Sequence, residues 1–540
     1  MKKLSFAILL IATAAIAVNA QEFKETVQLL SKKAEKGYVY NVSKDEGGTS
    51  YITYKMKLDK NSEDISYEEY SFDKNLKFLE SKDTKEKKEQ KVDYERTSYY
   101  ATVGGSTSFD VLSMKLKLTK VVSLRTWSNE NQKFITKKVL SRETIKPRND
   151  GGKTFNGYAS YVSSDDNKND VFIIARNESK EKNAADNYYV LLFNDKLEIT
   201  EKIVDLKGAY SLVFCEQLAT DNIVLVFAPK KGAADISKYV YVQYDMLGNQ
   251  INRAEFNSPA SALLLTAAYE KDGDVYFCGS STGSKESYEK LFSEYAPIVS
   301  PGFTGSANNA LDLKWEKGAS EKMEQFHLFK FSANTLSFAS TTPVAEFKSK
   351  FKTAPGDKGA SAYNGKKFLI EQFTVTASGD YLIAGQLTAK ENVGGTLVTS
   401  YGDIVCFHFD KSGSLKAQYG IGKMNMDKKS EIFEMKQNFH LASDGKSIYW
   451  ELLEVKGTKG YESFMDAYNG APTFYALYFP RICKIDLSNS SLGAIKVLGG
   501  EKYFLKKYFP SVFDKSENSI TYIGHDDDWK NLWLGKVVLQ

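Results

Sequence analysis

Across 540 residues the chain has only ten prolines, five tryptophans, four histidines and four cysteines. Each scarcity removes a class of explanation. There is no CxxC pair, and His327, His408, His440 and His525 are spread too widely for metal-ligand spacing, so no metal and no cofactor is expected. Cys215, Cys278, Cys406 and Cys483 each sit inside an apolar, strand-like run, where a thiol acts as a small buried apolar group. No charge sign dominates. Lys+Arg 72 against Asp+Glu 68 gives +4, and the signs interleave, as in KDTKEKKEQK from Lys82 to Lys91. That pattern belongs to a solvated surface, not to a nucleic-acid footprint. Beyond the N-terminus no apolar run approaches the ~20 residues of a membrane helix.

The N-terminus differs. Lys2 and Lys3 precede an apolar run from Leu4 to Val18, and Val18-Asn19-Ala20 before Gln21 has the small residues of a cleavage site. Residues 1–20 are expected to be a signal peptide and 21–540 the exported domain. The residue directly after Ala20 is Gln21 and not a cysteine, so a lipid anchor is not expected.

What is abundant is aromatic: 33 Tyr and 33 Phe, a composition that suits pleated, half-buried strands. One unit recurs. GDIVCFHFDKSGSL from Gly402 to Leu415 is a run of β-formers, an Asp, a Ser-Gly turn and a restarting apolar residue. Related copies are YSFDKNLKFL (Tyr70 to Leu79), VLLFNDKLEI (Val190 to Ile199), VQYDMLGNQI (Val242 to Ile251), HLFKFSANTL (His327 to Leu336) and RICKIDLSNSSL (Arg481 to Leu492). Each reads as a hairpin. An earlier strand with a Gly or Asp entry precedes most of them, as in GDVYFCGS (Gly273 to Ser280) and GDYLIAGQ (Gly379 to Gln386).

Four antiparallel strands per repeat describe a propeller blade. Phe193 and Tyr244 lie 51 positions apart, near the ~40–50 of one blade. Phe331 to Phe409 and Phe409 to Ile485 span 78 and 76, so insertions are required. They are placed at 280–325, where Tyr288, Leu291, Phe292 and Tyr295 have helical spacing, at the Lys-rich loop 346–359, and at the aromatic loop 459–480. The expected fold is a single all-β propeller of seven or eight four-stranded blades, with tandem β-sandwiches as the alternative. Its last blade is expected to close by pairing strands from both chain ends, with Ser50 to Leu58 available for this.

Three stretches are candidates for chemistry. Gly279-Ser280-Ser281-Thr282-Gly283 matches GxSxG after a strand, making Ser281 a weak nucleophile candidate; antiparallel neighbours and the lack of an HGG-type oxyanion loop argue against an elbow. Asp526, Asp527 and Asp528 are an oxygen-rich run. Consecutive acids point in divergent directions, so a hairpin turn is the simpler reading and a metal the weaker one. The aromatic loop carries Tyr461, Phe464, Tyr468, Phe474, Tyr475, Tyr478 and Phe479. So many rings mark either a binding surface or a cap over the core; with Glu462 and Asp466 beside them they also suit stacking on sugars.

The hairpins ending FDKSG or YDMLG, the Lys/Asn/Tyr-rich composition and the signal ending in Ala before Gln resemble exported β-propeller proteins of Bacteroidota. Secreted members of that phylum often end in a small sorting domain for type IX secretion, whereas here LWLGKVVLQ finishes the body of the chain. The resemblance therefore implies a periplasmic location and a protein partner among outer-membrane translocon components. The expectation is a non-enzymatic interaction module docking on an outer-membrane or secretion-system assembly. The alternative is a carbohydrate-binding or hydrolytic propeller enzyme acting at its central face.

Overall fold

The repeated hairpin is built around its Asp. In the computed structural model the backbone N–H of Asp245 donates to the Asn249 carbonyl (3.0 Å) and that of Gly248 to the Asp245 carbonyl (3.0 Å), while the Asp245 carboxylate accepts from Asn249 N–H (2.8 Å). Asp410 does the same through Ser414 and Gly413, and Asp73 through Lys77 and Leu76. The fourth residue must be left-handed: Gly248 has φ 69° and Gly413 φ 75°. Leu76 takes φ 65° at the equivalent place, without the freedom of glycine. A register shift directly precedes each of these turns, at Gln243/Tyr244, His408/Phe409 and Ser71/Phe72, as a three-residue hairpin with a bulge requires.

The described residues are 23–56, 62–104, 115–128, 133–148, 152, 155–162, 171–177, 187–193, 197–230, 233–260, 262–283, 323–357, 359–366, 368–393, 396–424, 433–460, 474–505 and 511–540. They form six sheets in chain order. Sheet I holds four strands between Tyr38 and Lys87, and sheet II seven between Glu89 and Ile203. Sheets III (Tyr210–Gln217 through Gln250–Asn257) and IV (Leu263–Lys271 through Thr335–Pro343) hold four each. Sheet V has five strands between Phe351 and Ile421, and sheet VI ten, which include the N-terminal strand Phe23–Leu29.

Consecutive sheets pack face to face. Val226 and Tyr241 of sheet III meet Phe277 and Phe331 of sheet IV; Phe326 and Leu328 of sheet IV meet Ile383 and Phe407 of sheet V; Leu382 and Cys406 of sheet V meet Trp450 and Cys483 of sheet VI. Ile523, Leu532 and Leu534 of sheet VI then pack on Ile52, Tyr54 and Tyr70 of sheet I. This is the all-β propeller arrangement, and the separate apolar layers replace the two cores that tandem sandwiches would have.

An edge strand of one sheet touches an edge strand of the next, from Tyr210–Gln217 to Leu263–Lys271, to Phe368–Val375, to Lys436–Leu441, which makes these the inner strands, the first of each meander. A bulge recurs in them, at Leu212/Phe214, Leu265/Ala267 and Ile370/Gln372. There the partner strand comes so close that it carries glycine: a Cβ on Gly279 or Gly385 would run into the carbonyl oxygen of Leu264 or Leu369.

The structure corrects several expectations. Seven or eight equal blades do not form: five sheets have four to seven strands and the sixth has ten. Sheet II gains the long meander of Glu89–Gly104, Lys115–Ser128 and Lys133–Ile145. Sheet VI is fused because the two-residue strand Phe504–Leu505 pairs with Phe474–Asp486 on one side and Ser519–His525 on the other. The strand that closes the last sheet is Phe23–Leu29, which pairs with Asn531–Val538 from Phe23 opposite Val537 to Leu29 opposite Asn531; Ser50–Lys55 is instead the second strand of sheet I. The Lys-rich loop 346–359 contains most of a helix, Val344–Ser349, which buries Phe347, and a strand, Phe351–Thr353, parallel to Leu415–Ile421. The ends of 459–480 are not loop either: Ser447–Gly460 and Phe474–Asp486 stay paired as far as Gly460 opposite Phe474. Pro480 lies inside that second strand. It is tolerated because its far side falls in the gap between the pairings of Tyr478 with Leu505 and Arg481 with Val497. Residues 1–22 and the helical pattern of Tyr288 to Tyr295 lie outside the described residues. Among the described residues no helix is long and apolar enough to cross a membrane.

Candidate functional site

Ser281 ends the strand Asp274–Ser281 and is fully buried. Its Oγ lies 2.7 Å from Nε2 of His327 and 3.3 Å from Oε1 of Gln325, and Nδ1 of His327 lies 3.0 Å from Oγ1 of Thr341. A Ser–His contact of this length is the geometry of a nucleophile and its base. Here its setting makes it structural. The serine continues an antiparallel strand, a hydroxyl stands where a triad has a carboxylate, and burial pulls the His327 pKa down to about 4. The unit joins four polar side chains on neighbouring strands of sheet IV.

The three acids resolve as a turn between Ser519–His525 and Asn531–Val538. Asp526 accepts from the backbone N–H groups of Lys530 (2.9 Å) and Asn531 (3.0 Å) and from the Asn531 amide (2.6 Å), while Asp528 pairs with Lys530 (3.0 Å). Among the described residues no group of three His, Cys, Asp or Glu could hold a metal ion. The four cysteines are free thiols; burial pushes those of Cys215, Cys278 and Cys483 up to about 12.

Tyr461, Phe464 and Tyr468 lie outside the described residues. Phe474, Tyr475 and Tyr478 belong to the strand Phe474–Asp486. Tyr478 packs partly buried against the core that holds Ile482 and Trp533, and Phe479 is fully buried.

Sequence spacing missed a set of polar pairs that the register creates. His408 is opposite Leu382, and its Nε2 lies 3.1 Å from Asp380 while its Nδ1 lies 3.1 Å from the Tyr419 hydroxyl. In the preceding sheet Lys330 is opposite Tyr276 and pairs with Asp274 at 2.6 Å. The Asp of each Gly-Asp entry thus pins the third strand of its own sheet, a structural role repeated from sheet to sheet.

One polar group differs by reaching the inner edge. Lys436–Leu441 is the inner strand at this point of sheet VI, and Asn438 is opposite Glu451 on the next strand. The buried Glu451 carboxylate takes 2.8 and 3.0 Å contacts through Oε2 from His440 Nε2 and Asn438 Nδ2. Burial alone would raise its pKa, but the hydrogen bonds, led by His440, hold it below the ordinary range. The His440 ring packs 5.4 Å from the ring of Phe513, which is 41% exposed, and Gln372 reaches Asn438 from sheet V at 3.4 Å. A carboxylate-oriented imidazole of this kind can position a polar ligand or accept a proton. A hairpin register drawn across LASDGKSIYW would have placed Glu451 opposite Asn438; a search for short-range His motifs could not.

No family model and no curated protein matches the chain. Similar solved structures include an apocarotenoid oxygenase of Synechocystis, at 9% identity, 89% of this chain, 90% of that one and a TM-score of 0.27. The β-propeller domain of the Trilobed protease from Pyrococcus furiosus matches at 10% identity over 94% of this chain and 96% of that one, TM-score 0.23. An α-L-arabinanase of Penicillium chrysogenum matches at 10% identity over 71% and 93%, TM-score 0.24.

Proposed function

We propose that this chain is an exported, non-enzymatic interaction module that docks a protein partner through one face of its propeller. The observation that carries this reading is where the long connections leave. In an up-and-down sheet the link from second to third strand always exits on the same side. Those links include residues 284–322, between Asp274–Ser281 and Gln325–Ser332, and residues 461–473, between Ser447–Gly460 and Phe474–Asp486. The hairpin of sheet V extends the same way to Val393 opposite Thr396. The described ends of both links and the extended hairpin of sheet V therefore open on a single face, the place where binding residues gather on a rigid scaffold. The resemblance to exported Bacteroidota propellers supports a periplasmic location and an outer-membrane or secretion assembly as the partner.

The test is affinity purification of the tagged protein from its native cells, beside a variant lacking residues 284–322. A stoichiometric partner held by the full chain and lost by the variant is expected. Absence of any such partner, or equal capture by both proteins, overturns the reading.

A further inference from the structure

The meander of sheet II concentrates the chain's positive charge. From Glu89 to Arg148 the sequence has twelve Lys and Arg against six Asp and Glu, an excess larger than the +4 of the whole chain. Its last strand, Lys133–Ile145, pairs with Lys115–Ser128. A strand packed on one side buries alternate residues, yet every residue from Thr136 to Thr144 is exposed. Both faces of this ribbon therefore meet solvent. Lys137, Lys138, Arg142, Lys146 and Arg148 are exposed there, and Glu143, opposite Lys120, is the one acid between Ile135 and Arg148.

Exposure alone does not account for this, because a second strand shares it. Phe78–Lys87 of sheet I is exposed at every residue after Phe78, but its Lys82, Lys85 and Lys87 are balanced by Glu80, Asp83 and Glu86. Balanced charge is ordinary solvated surface, whereas a strand of one sign creates a field that draws anions.

The register adds an apolar point. Val122 is opposite Ser141 and Ser123 opposite Val139, so Leu140 is an extra residue; Lys137 is another, between the pairings of Leu124 with Lys138 and of Arg125 with Thr136. Two bulges and several cations blunt a strand edge against strand addition, which leaves the faces as the means of contact. Neighbouring Val139 and Leu140 are 47% and 45% exposed, flanked by Lys138 and Arg142. Adjacent aliphatic side chains ringed by cations match an anionic lipid surface, where the cations meet headgroup phosphates and the aliphatic tips enter the acyl boundary. An acidic protein face would instead set carboxylates against those tips.

We infer that the ribbon from Thr136 to Thr144 is a peripheral contact with an anionic lipid surface, in which Lys137, Lys138 and Arg142 bind headgroup phosphates and Val139 and Leu140 insert. None of these residues belongs to the links of the docking face, so the two readings can fail separately.

The experiment sediments the full mature chain with vesicles of phosphatidylglycerol and phosphatidylcholine in equal parts, and with vesicles of phosphatidylcholine alone. Binding to the first and not the second is expected, falling as salt rises. Lys137→Ser, Lys138→Ser and Arg142→Ser together should weaken it about tenfold or more. Val139→Ser with Leu140→Ser should weaken it severalfold, and both variants should keep the native unfolding midpoint because all five side chains are exposed. Lys82→Ser, Lys85→Ser and Lys87→Ser together, and the chain lacking residues 284–322, should bind as the native chain does. No sedimentation with the anionic vesicles, equal binding to both kinds, equal losses in the two cation variants, or indifference to the Val139 and Leu140 changes overturns the assignment. So does an acidic protein that binds this ribbon when the vesicles do not.

Discussion

Lys44, at the end of the first strand of sheet I, holds Glu517 at 3.1 Å across almost the whole length of the chain. The same ammonium pairs with Asp514, and Lys536 holds Glu517 from the other side at 2.6 Å. These partly buried charges tie the first sheet to the last at the opposite end of the strands from the Tyr54 to His525 contact.

Removing the central cation should loosen that junction. Lys44→Met is expected to cost about 1–2 kcal/mol, between the scales for exposed and buried pairs, read as a lower denaturant midpoint. The hydrogen bond from Lys44 comes first among the causes that depress the Asp514 pKa far below the usual range. A depressed carboxylate stabilises the fold above its unfolded value near 4 and loses that contribution as pH falls through the folded value. The native chain should therefore lose stability below about pH 4 more steeply than the variant; parallel curves would show that the pair contributes nothing.

Two histidines act in a higher window. Burial lowers His327 to about 4, and desolvation outweighs Asp380 to lower His408. The unfolded chain binds these protons near pH 6.5 and the folded chain resists them, so stability should decline as pH falls from about 6.5 toward 4. In His327→Gln the decline should be shallower, measured by thermal unfolding across that range.

Glu216 points the other way. Its carboxylate accepts from the Ala268 N–H at 3.0 Å between two inner strands, and burial lifts its pKa to about 7. The folded state therefore favours the protonated form, and stability falls as pH rises from about 4.5 to 7. Glu216→Gln should raise stability at pH 8 by about 2 kcal/mol and leave it nearly unchanged at pH 4. Destabilisation at pH 8 would mean that the charge is held by something beyond Ala268.

The aromatic stretch should divide in two. Phe479→Ala deletes a fully buried ring and should cost ~3–5 kcal/mol. Alanine at Tyr468, Phe474 and Tyr475 together should leave the unfolding midpoint nearly unchanged and abolish partner capture. Large destabilisation with intact capture would make the whole stretch a cap over the core.

Much of the fold could be read from residues whose chemistry repeats locally. Tyr244, Phe331, Phe409 and Ile485, chosen as spacing markers, face Ile223, Val275, Tyr381 and Ile448 in equivalent registers. After Tyr244, Phe409 and Ile485 an Asp turn fixes that register through hydrogen bonds within five residues, whereas Phe331 leads into the shorter Ser332–Thr335 turn. Less legible was whatever depended on distant chain. Phe23–Leu29 alternates in FKETVQL, yet it becomes a strand only by meeting Asn531–Val538. Helix Val344–Ser349 has few residues, and it exists because Phe347 fills a space among Phe326, Phe407 and Phe409. The Glu451 group needed a register, not a motif, to appear.

The pairing of Phe23–Leu29 with Asn531–Val538 also sets a clock. Phe23–Leu29 has as its hydrogen-bonding partner a strand about 500 residues later in the chain, so at ~5–20 residues per second it waits roughly half a minute to two minutes after synthesis before it can be used. Throughout that time Val27 and Leu29, still 45% and 65% exposed after pairing, sit on an unmatched strand able to join any edge it meets. A chaperone that holds nascent chains should act first on this segment, and the sheets in the middle of the chain can finish folding before the two ends join.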